Sequence, residues 1–316
     1  MIVDVHAHLT PEAYLAISGG LGGSFENRFT GHPDVHSLEQ RFEQMAQAGV
    51  TRQILSPTTA PYCEVEAEAV AAARLVNDSL SAASRANPDL LSFWVSLPLP
   101  HVEASMAELA RGMDELGAVG VVVGCFCLGE SIASPAFEPL YAELERRKGI
   151  VFLHPCQNGI CSPQVNDWGL TVCAGASMED SVAAMHLIAA GIPSRYPAVR
   201  FIVPHFGGIM PMLLNRLDGQ MPQASLAEKP SVTARRFYYD TVGWGSRAAL
   251  LAAVEAFGAA QIVTGSDYPV LLRHESYKQT FDNIRDSGLP DDVIAQILGN
   301  AEMLMAGARR KGGDEA

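Results

Sequence analysis

The feature that most constrains the fold is an alternation of short, strongly apolar runs with longer helix-like segments along the whole chain. Eight runs are rich in Val, Ile, Leu and Phe, and most are nearly continuous instead of alternating with polar residues. Strands have this pattern when both faces are buried, as in a parallel sheet covered by helices. The runs cover residues 2–5, 52–56, 91–97, 119–123, 150–153, 199–203, 237–241 and 261–264.

Segments with helical character lie between these runs. They cover residues 37–48, 64–86, 102–116, 136–147, 178–190, 210–219, 246–257 and 291–306. Strands that alternate with helices indicate βαβ units, so we expect an α/β protein with a single (β/α)8 TIM barrel. An open, doubly wound sheet is the alternative, although no GxGxxG motif follows the first run. We expect one domain over residues 1–316, with a frayed polar tail over 308–316.

Two connections are much longer than the others. One covers residues 9–36, after the first predicted strand, and the other covers residues 155–177, after the fifth. Connections of this length in compact domains usually serve function, often as lids or substrate walls. The sequence therefore indicates two candidate walls for a site.

Composition excludes several classes of function. The chain has 22 basic and 35 acidic residues, a formal net charge of −13, and no basic cluster, which argues against nucleic acids and anionic membranes as partners. No apolar run reaches the roughly 18 residues of a membrane span, and the N-terminus lacks the pattern of a signal peptide. The six cysteines form no CxxC pair, so we expect a cytoplasmic protein with reduced thiols.

Residues able to do chemistry are concentrated at the ends of predicted strands, where barrel enzymes place their active sites. His6 and His8 are two apart on the first strand, so both imidazoles point the same way. His154 ends the fifth run, His205 follows the sixth, and Asp267 follows the eighth. An HxH pair alone is a weak signal, but the ordered set of imidazoles and a carboxylate suits Zn²⁺, with Mn²⁺, Co²⁺ or Fe²⁺ possible.

The segments that carry these residues resemble the amidohydrolase superfamily over nearly the whole chain. Within it they are most similar to the amidohydrolase-related branch that contains aminocarboxymuconate-semialdehyde decarboxylase and similar nonoxidative decarboxylases. The matching segments are DVHAHLTPEAY (4–14), VFLHP (151–155), RFIVPHFGG (200–208), RFYYDT (236–241), VTGSDYPV (263–270) and ILGNAEMLM (297–305). The resemblance implies a metal-dependent nonoxidative decarboxylase that acts on an unsaturated or hydroxyaromatic carboxylate.

The resemblance also implies roles for particular residues. The implied metal ligands are His6, His8, His154 and Asp267, and the implied catalytic residues are His205, as an acid and base, and Asp267. One divalent ion is expected, zinc first and manganese second, because the fourth run ends without a lysine that could be carbamylated. That ion would lower the pKa of a bound water toward about 7.

Three residues are candidates for contact with the substrate. Arg216, eleven residues after His205, and Arg28 in the first long connection are candidates for binding its carboxylate. Arg216 could instead pair with Asp218 or Asp240, and Arg28 could be a solvated loop charge. Trp168 in the second long connection either lines the pocket or makes a plain hydrophobic contact.

Other functions are compatible with the same residues. A hydrolase of a C–C bond, an ester or a lactone, or a hydratase, could use the same metal site. A catalytically silent binding protein on the same scaffold is a further reading, although all five site positions are intact. The expected partner is a small carboxylate, and the resemblance implies a homodimer.

Overall fold

Strands form at all eight of the apolar runs in a computed structural model, which describes residues 1–18, 37–156, 158–222 and 226–309. The strands are β1 (Ile2–His8), β2 (Val50–Ser56), β3 (Leu91–Phe93), β4 (Val95–Ser96), β5 (Val121–Gly124), β6 (Phe126–Cys127), β7 (Glu130–Ser131), β8 (Ile150–His154), β9 (Arg200–Val203), β10 (Tyr238–Asp240) and β11 (Ile262–Val263). Only the short antiparallel hairpin of β6 and β7 has no counterpart among the predicted strands.

Helices follow most of these strands and confirm the predicted α/β class. They are α1 (Glu12–Ser18), α2 (Leu38–Ala48), α3 (Glu66–Ala86), α4 (Val102–Ala110), α5 (Glu138–Arg147), α6 (Pro163–Asn166), α7 (Ala176–Ala189), α8 (Ile192–Arg195), α9 (Met210–Gln220), α10 (Pro230–Ala234), α11 (Arg247–Phe257), α12 (Tyr277–Arg285) and α13 (Asp291–Arg309). The Ser37 side chain accepts a hydrogen bond from Gln40 N at the start of α2, a common role of serine at a helix N-terminus. The helix ends at Gly49, whose left-handed conformation is one that glycine adopts readily.

The strands form two parallel sheets, in the orders β1-β2-β3 and β11-β10-β9-β8-β5-β4. Only Trp94 separates β3 from β4, so one stretch of chain links the sheets. At the other edge, Val5 N donates to Thr264 O (2.9 Å) and Asp267 N donates to His6 O (2.8 Å). Hydrogen bonds therefore place the residues that follow β11 alongside β1.

Each central strand is buried on both faces. In β8, Ile150 and Phe152 belong to one apolar cluster, whereas Val151 and Leu153 belong to a second, larger cluster. Three residues of α13, Ala301, Leu304 and Met305, pack into the first cluster. Burial on both faces explains why the runs are continuously apolar.

Several details differ from the sequence prediction. The predicted long connections contain the helices α1 and α6, and α12 lies in a segment for which no helix was predicted. The predicted helix over 102–116 is α-helical only to Ala110 and continues as a wider π-type turn over Arg111–Leu116. Gly112 in that turn packs so closely on Val95 that a Cβ would lie 2.4 Å from its Cγ2 atom.

The end of the chain is partly helical. Because α13 continues to Arg309, residues 308 and 309 of the predicted tail are helical, and residues 310–316 lie outside the described part. Within the described ranges, no helix combines the length and apolar character needed to cross a bilayer.

A buried polar network holds the site end of β1. Asp4 Oδ2 accepts hydrogen bonds from Ser266 Oγ (2.7 Å), Tyr277 Oη (2.7 Å) and Gln53 Nε2 (3.1 Å), and Asp4 Oδ1 accepts one from Ser266 N (3.0 Å). Burial raises the pKa of Asp4, and these donors act in the opposite direction. The network connects β1 to β2, to the segment after β11 and to α12.

Replacing Asp4 should test how strongly this network stabilises the fold. Asp4→Ala leaves buried donors on Ser266, Tyr277 and Gln53 without their acceptor, so we expect the free energy of unfolding to fall by about 3 kcal/mol or more. Urea unfolding of metal-free protein measures it without a contribution from metal binding. The exposed Asp89 is the control, and Asp89→Ala should change stability by less than about 0.5 kcal/mol. Equal effects in the two variants would contradict a stabilising role for the network.

Candidate metal and catalytic site

Four buried side chains meet at the carboxyl ends of the strands. His6 and His8 come from β1, His154 ends β8, and Asp267 follows β11; their ligand atoms all lie within 4.8 Å of one another. His8 Nε2 is 3.2 Å from both His6 Nε2 and His154 Nε2 and 3.0 Å from Asp267 Oδ1. The structure thus brings together the four residues expected to be metal ligands.

The Nδ1 atoms of the two histidines on β1 have hydrogen-bond partners that fix the orientation of the rings. His6 Nδ1 donates to Asp240 Oδ2 (2.7 Å), and His8 Nδ1 lies 3.1 Å from Ser56 Oγ. Because these Nδ1 atoms have partners, the Nε2 atoms turn toward the centre of the cluster. Metal-binding histidines are usually oriented in this way, by a hydrogen bond at the nitrogen that does not bind the metal. Asp240 is therefore a hydrogen-bond partner of a histidine of the site.

The backbone around Asp267 is specialised for this placement. Asp267 has a φ of 61°, in the left-handed region that Asp tolerates better than most residues. Gly265 lies two residues before Asp267. A Cβ added to it would stand 2.9 Å from Asp240 Cβ and 3.0 Å from His6 Cβ. Only glycine therefore lets the chain pass this close to the cluster.

The donor set fits a divalent metal ion. Ligand nitrogens at about 2.0–2.1 Å from a tetrahedral Zn²⁺ stand roughly 3.3 Å apart, close to the 3.2 Å between the Nε2 atoms here. Burial, together with the neighbouring imidazoles, lowers the pKa of His8 and of His154 and favours the neutral form that binds metals. Burial alone would raise the pKa of Asp267, but hydrogen bonds with His6 and His8 lower it overall, so this carboxylate is ionised.

His6 supplies one positive charge beside the two carboxylates of Asp240 and Asp267 when it is protonated. Burial lowers its pKa, but Asp240 and Asp267 outweigh this effect and raise it to about 10. A divalent ion must displace that proton in order to bind Nε2. Metal binding is therefore expected to be coupled to proton release at neutral pH.

His205 lies next to the cluster and has its own partners. Its ring centroid is 5.7 Å from that of His6, its backbone N–H donates to Asp240 Oδ1 (2.8 Å), and its Nδ1 lies 2.7 Å from Asp180 Oδ2. Burial lowers the pKa of His205, but Asp180 and Asp240 together outweigh this effect, so the net pKa lies above the usual value. Sequence reasoning did not find Asp180, whose only signal is an acidic pair, Glu179 and Asp180, within a helix rich in apolar residues.

The residues predicted to bind substrate are not joined to the cluster. Arg216 is exposed on α9 and donates from Nε to Gln220 Oε1 (3.2 Å), whereas Asp218, one of its two suggested partners, accepts from Ser231. Trp168 is 76% exposed. Among the described residues, no hydrogen bond or ring contact links Arg216 or Trp168 to the metal-site residues. Arg28 lies outside the described residues, so all three roles stay predictions.

Parallel strands that carry a buried histidine–aspartate cluster at their carboxyl ends define an α/β enzyme with a candidate centre for a divalent metal. A family model for amidohydrolases matches residues 3–304. The chain therefore belongs to the amidohydrolase family, which confirms the superfamily expected from its motifs.

Named relatives narrow the position within the family. The chain is 29% identical to 6-methylsalicylic acid decarboxylase of Penicillium expansum over 95% of this chain and 94% of the relative. It is 24% identical to 2-amino-3-carboxymuconate-6-semialdehyde decarboxylase of Dictyostelium discoideum, over 90% and 86% of the two chains. A solved dihydroxybenzoic acid decarboxylase from Polaromonas, with bound manganese and the inhibitor 2-nitroresorcinol, superposes with a TM-score of 0.82 at 21% identity, over 98% and 97% of the chains. The decarboxylase branch predicted from the motifs is therefore confirmed.

Elemental mass spectrometry tests the metal site. We expect about one zinc or manganese ion per chain after purification without chelator, and loss of that ion in His8→Ala. The exposed His274 is the control, and His274→Ala should keep its metal. A parent protein that holds no metal even after reconstitution would contradict the site.

Metal affinity should also depend on pH. The pKa of His6, raised to about 10, lies above the range from pH 6 to pH 8, so each ion bound should release one proton. The apparent affinity should then rise about tenfold per pH unit as pH rises. Calorimetry in buffers of different ionisation enthalpy measures the proton directly, and affinity that is flat over this range would contradict the assignment.

Proposed function

We propose that the chain is a metal-dependent nonoxidative decarboxylase of a hydroxyaromatic carboxylate, built on a closed (β/α)8 barrel. The observation that carries the proposal is the juxtaposition of the His6, His8, His154 and Asp267 cluster with His205. The relatives support it, because the Penicillium expansum protein is named for 6-methylsalicylic acid and the Polaromonas protein for dihydroxybenzoic acid. Both names describe an aromatic ring with a carboxyl and a hydroxyl group.

Closure of the barrel is supported by the hydrogen bonds at the edges of the two sheets. Val5 N and His8 N of β1 donate to Thr264 O and Tyr268 O, in the segment that follows β11. Trp94 N donates to Leu55 O and Val95 N to Gly120 O, across the point where β3 gives way to β4. These contacts support a continuous ring of eight strands with the cluster at its carboxyl end.

The proposed decarboxylation requires a metal ion, a proton donor and a group that accepts the electrons of the broken bond. A divalent ion held by His6, His8, His154 and Asp267 would supply Lewis-acid charge toward the oxygen atoms of the substrate. His205 Nε2 gives a proton to the ring carbon that bears the carboxylate, which interrupts the aromatic system. The electrons of the bond to the carboxyl carbon then return to the ring, and carbon dioxide leaves. Asp267 is ionised beside His8 and is suited to accept a hydrogen bond from nearby water.

Zinc is the proposed ion, with manganese as the alternative. The ligand set of imidazoles and a carboxylate suits both ions, and manganese is the metal named for the Polaromonas relative. Arg28, Arg216 and Trp168 are the proposed contacts with the substrate. A cytoplasmic homodimer is the proposed state of the protein.

Turnover of hydroxybenzoates tests the proposed reaction. We expect the metal-loaded protein to release carbon dioxide from 6-methylsalicylate or 2,6-dihydroxybenzoate, detected as labelled gas from the carboxyl-labelled compound. His205→Gln should lower the rate about 10²–10⁴-fold because it removes the proton donor, while the metal content stays unchanged. His186 is the control, since it bonds to Ser131 outside the cluster, and His186→Gln should keep activity. Uptake of water without carbon dioxide would point to the hydrolase or hydratase alternative.

Arg216 offers a second test. If its guanidinium binds the substrate carboxylate, Arg216→Ala should raise KM about tenfold or more through loss of a charged hydrogen bond. The exposed Arg235, which donates to Ala256 O, provides a control of the same charge, and Arg235→Ala should leave KM unchanged. Equal KM values for the two variants would remove Arg216 from the substrate site.

A further inference from the structure

Asp180 is a fully buried carboxylate that none of the strand-end motifs includes. It lies on α7, and its two oxygens have separate partners: Oδ2 is 2.7 Å from His205 Nδ1, and Oδ1 accepts from Cys125 Sγ at 3.4 Å. Burial raises the pKa of Asp180, and the interaction with His205 opposes that rise. His205 is the only group recorded among the described residues that can supply positive charge to this carboxylate.

The turn that carries His205 packs tightly against α7. His205 itself has a φ of 53°, in the left-handed region, which is unfavourable for a residue with a Cβ. A Cβ on Gly208 would lie 2.0 Å from Ser177 O of α7, so only glycine allows this contact. Ser181 Oγ accepts from Ile209 N (2.9 Å) and fixes the same turn. Packing on α7 therefore fixes the position of His205, and Asp180 of the same helix is the hydrogen-bond partner of its ring.

Hydrogen bonding at Nδ1 leaves Nε2 as the nitrogen available for chemistry. A carboxylate only accepts hydrogen bonds, so the short contact with Asp180 requires the proton of His205 to be on Nδ1. The backbone N–H of His205 is held separately by Asp240. Ring and backbone are thus fixed by two different carboxylates.

We propose that Asp180 is a positioning residue that holds His205 in the tautomer with its proton on Nδ1, so that Nε2 exchanges the catalytic proton. The proposal rests on the proposed role of His205 as acid and base. The proton on Nδ1 stays bonded to Asp180 throughout, while the proton on Nε2 passes to the ring carbon and is later replaced from solvent. Cys125 supports the arrangement by donating to the other oxygen of Asp180.

Asp180→Asn removes this constraint with almost no change of shape. The amide can donate to Nδ1 and favour the opposite tautomer, so kcat should fall about 10²-fold or more while KM and metal content stay within twofold. Asp180→Glu keeps a carboxylate and should recover part of the loss. Normal kcat in Asp180→Asn would overturn the proposal.

A double variant separates action through His205 from a general structural role. If Asp180 acts only through His205, Asp180→Asn should lower the residual rate of His205→Gln by no more than twofold. A further loss as large as in the parent background would show that Asp180 acts on something else, and would overturn the proposal.

A spectroscopic measurement keeps this proposal separate from the proposed reaction. In zinc-loaded protein with ¹⁵N-labelled histidine, the His205 signals, assigned by their absence from His205→Gln, should show a proton on Nδ1. Asp180→Asn should shift them toward protonation at Nε2. Neutral His205 protonated only at Nε2 in the parent would overturn the proposal whether or not any carboxylate is turned over. The expected tautomer in a parent without decarboxylase activity would support the positioning role and refute only the proposed reaction.

Discussion

The rest of the site depends on the hydrogen bonds that the carboxylate of Asp240 accepts. One of its oxygens accepts from His6 Nδ1, while the other accepts from the backbone N–H groups of His205 and Val242. A single buried side chain on β10 therefore orients an imidazole of the candidate metal site and the turn that carries His205, the proposed acid and base. A carboxylate without solvent is tolerable only when its oxygens have donors and an opposite charge, and Asp240 has both.

Charge balance in this region is achieved almost entirely by histidines. Asp240 and Asp267 face His6, and Asp180 faces His205, without a lysine or arginine in any of these pairs. An imidazole can carry a proton or exchange it for a metal ion at modest cost, which an arginine cannot do. The carboxylates of Asp240 and Asp267 can therefore be paired with a proton on His6 or with a divalent ion. Because one proton is exchanged for two positive charges, only the bound ion would balance both carboxylates.

The sequence was sufficient to predict the parts of the structure that depend on local pattern. Continuous apolar runs located the strands because strands of a covered parallel sheet are buried on both faces. The spacing of His6 and His8 placed two imidazoles on one face because side chains along a strand repeat every two residues. Asp180 was not predictable in this way, since its partner lies on a different element and is met only through packing of α7. Arg41 is similar: it is 1% exposed and donates to His8 O and Gln53 Oε1, although its sequence context is that of an ordinary surface helix.

The acidic pair on α7 contacts both the connection after β8 and the turn after β9. Glu179 accepts from the backbone N–H groups of Cys156, Asn158 and Gly159, at the start of the connection after β8. The next residue, Asp180, accepts from His205 at the end of β9. Because α7 lies between β8 and β9 in the chain, consecutive residues, about 100° apart around the helix, reach the ends of both strands. A shift of this helix would therefore move the connection after β8 and His205, the proposed proton donor, together.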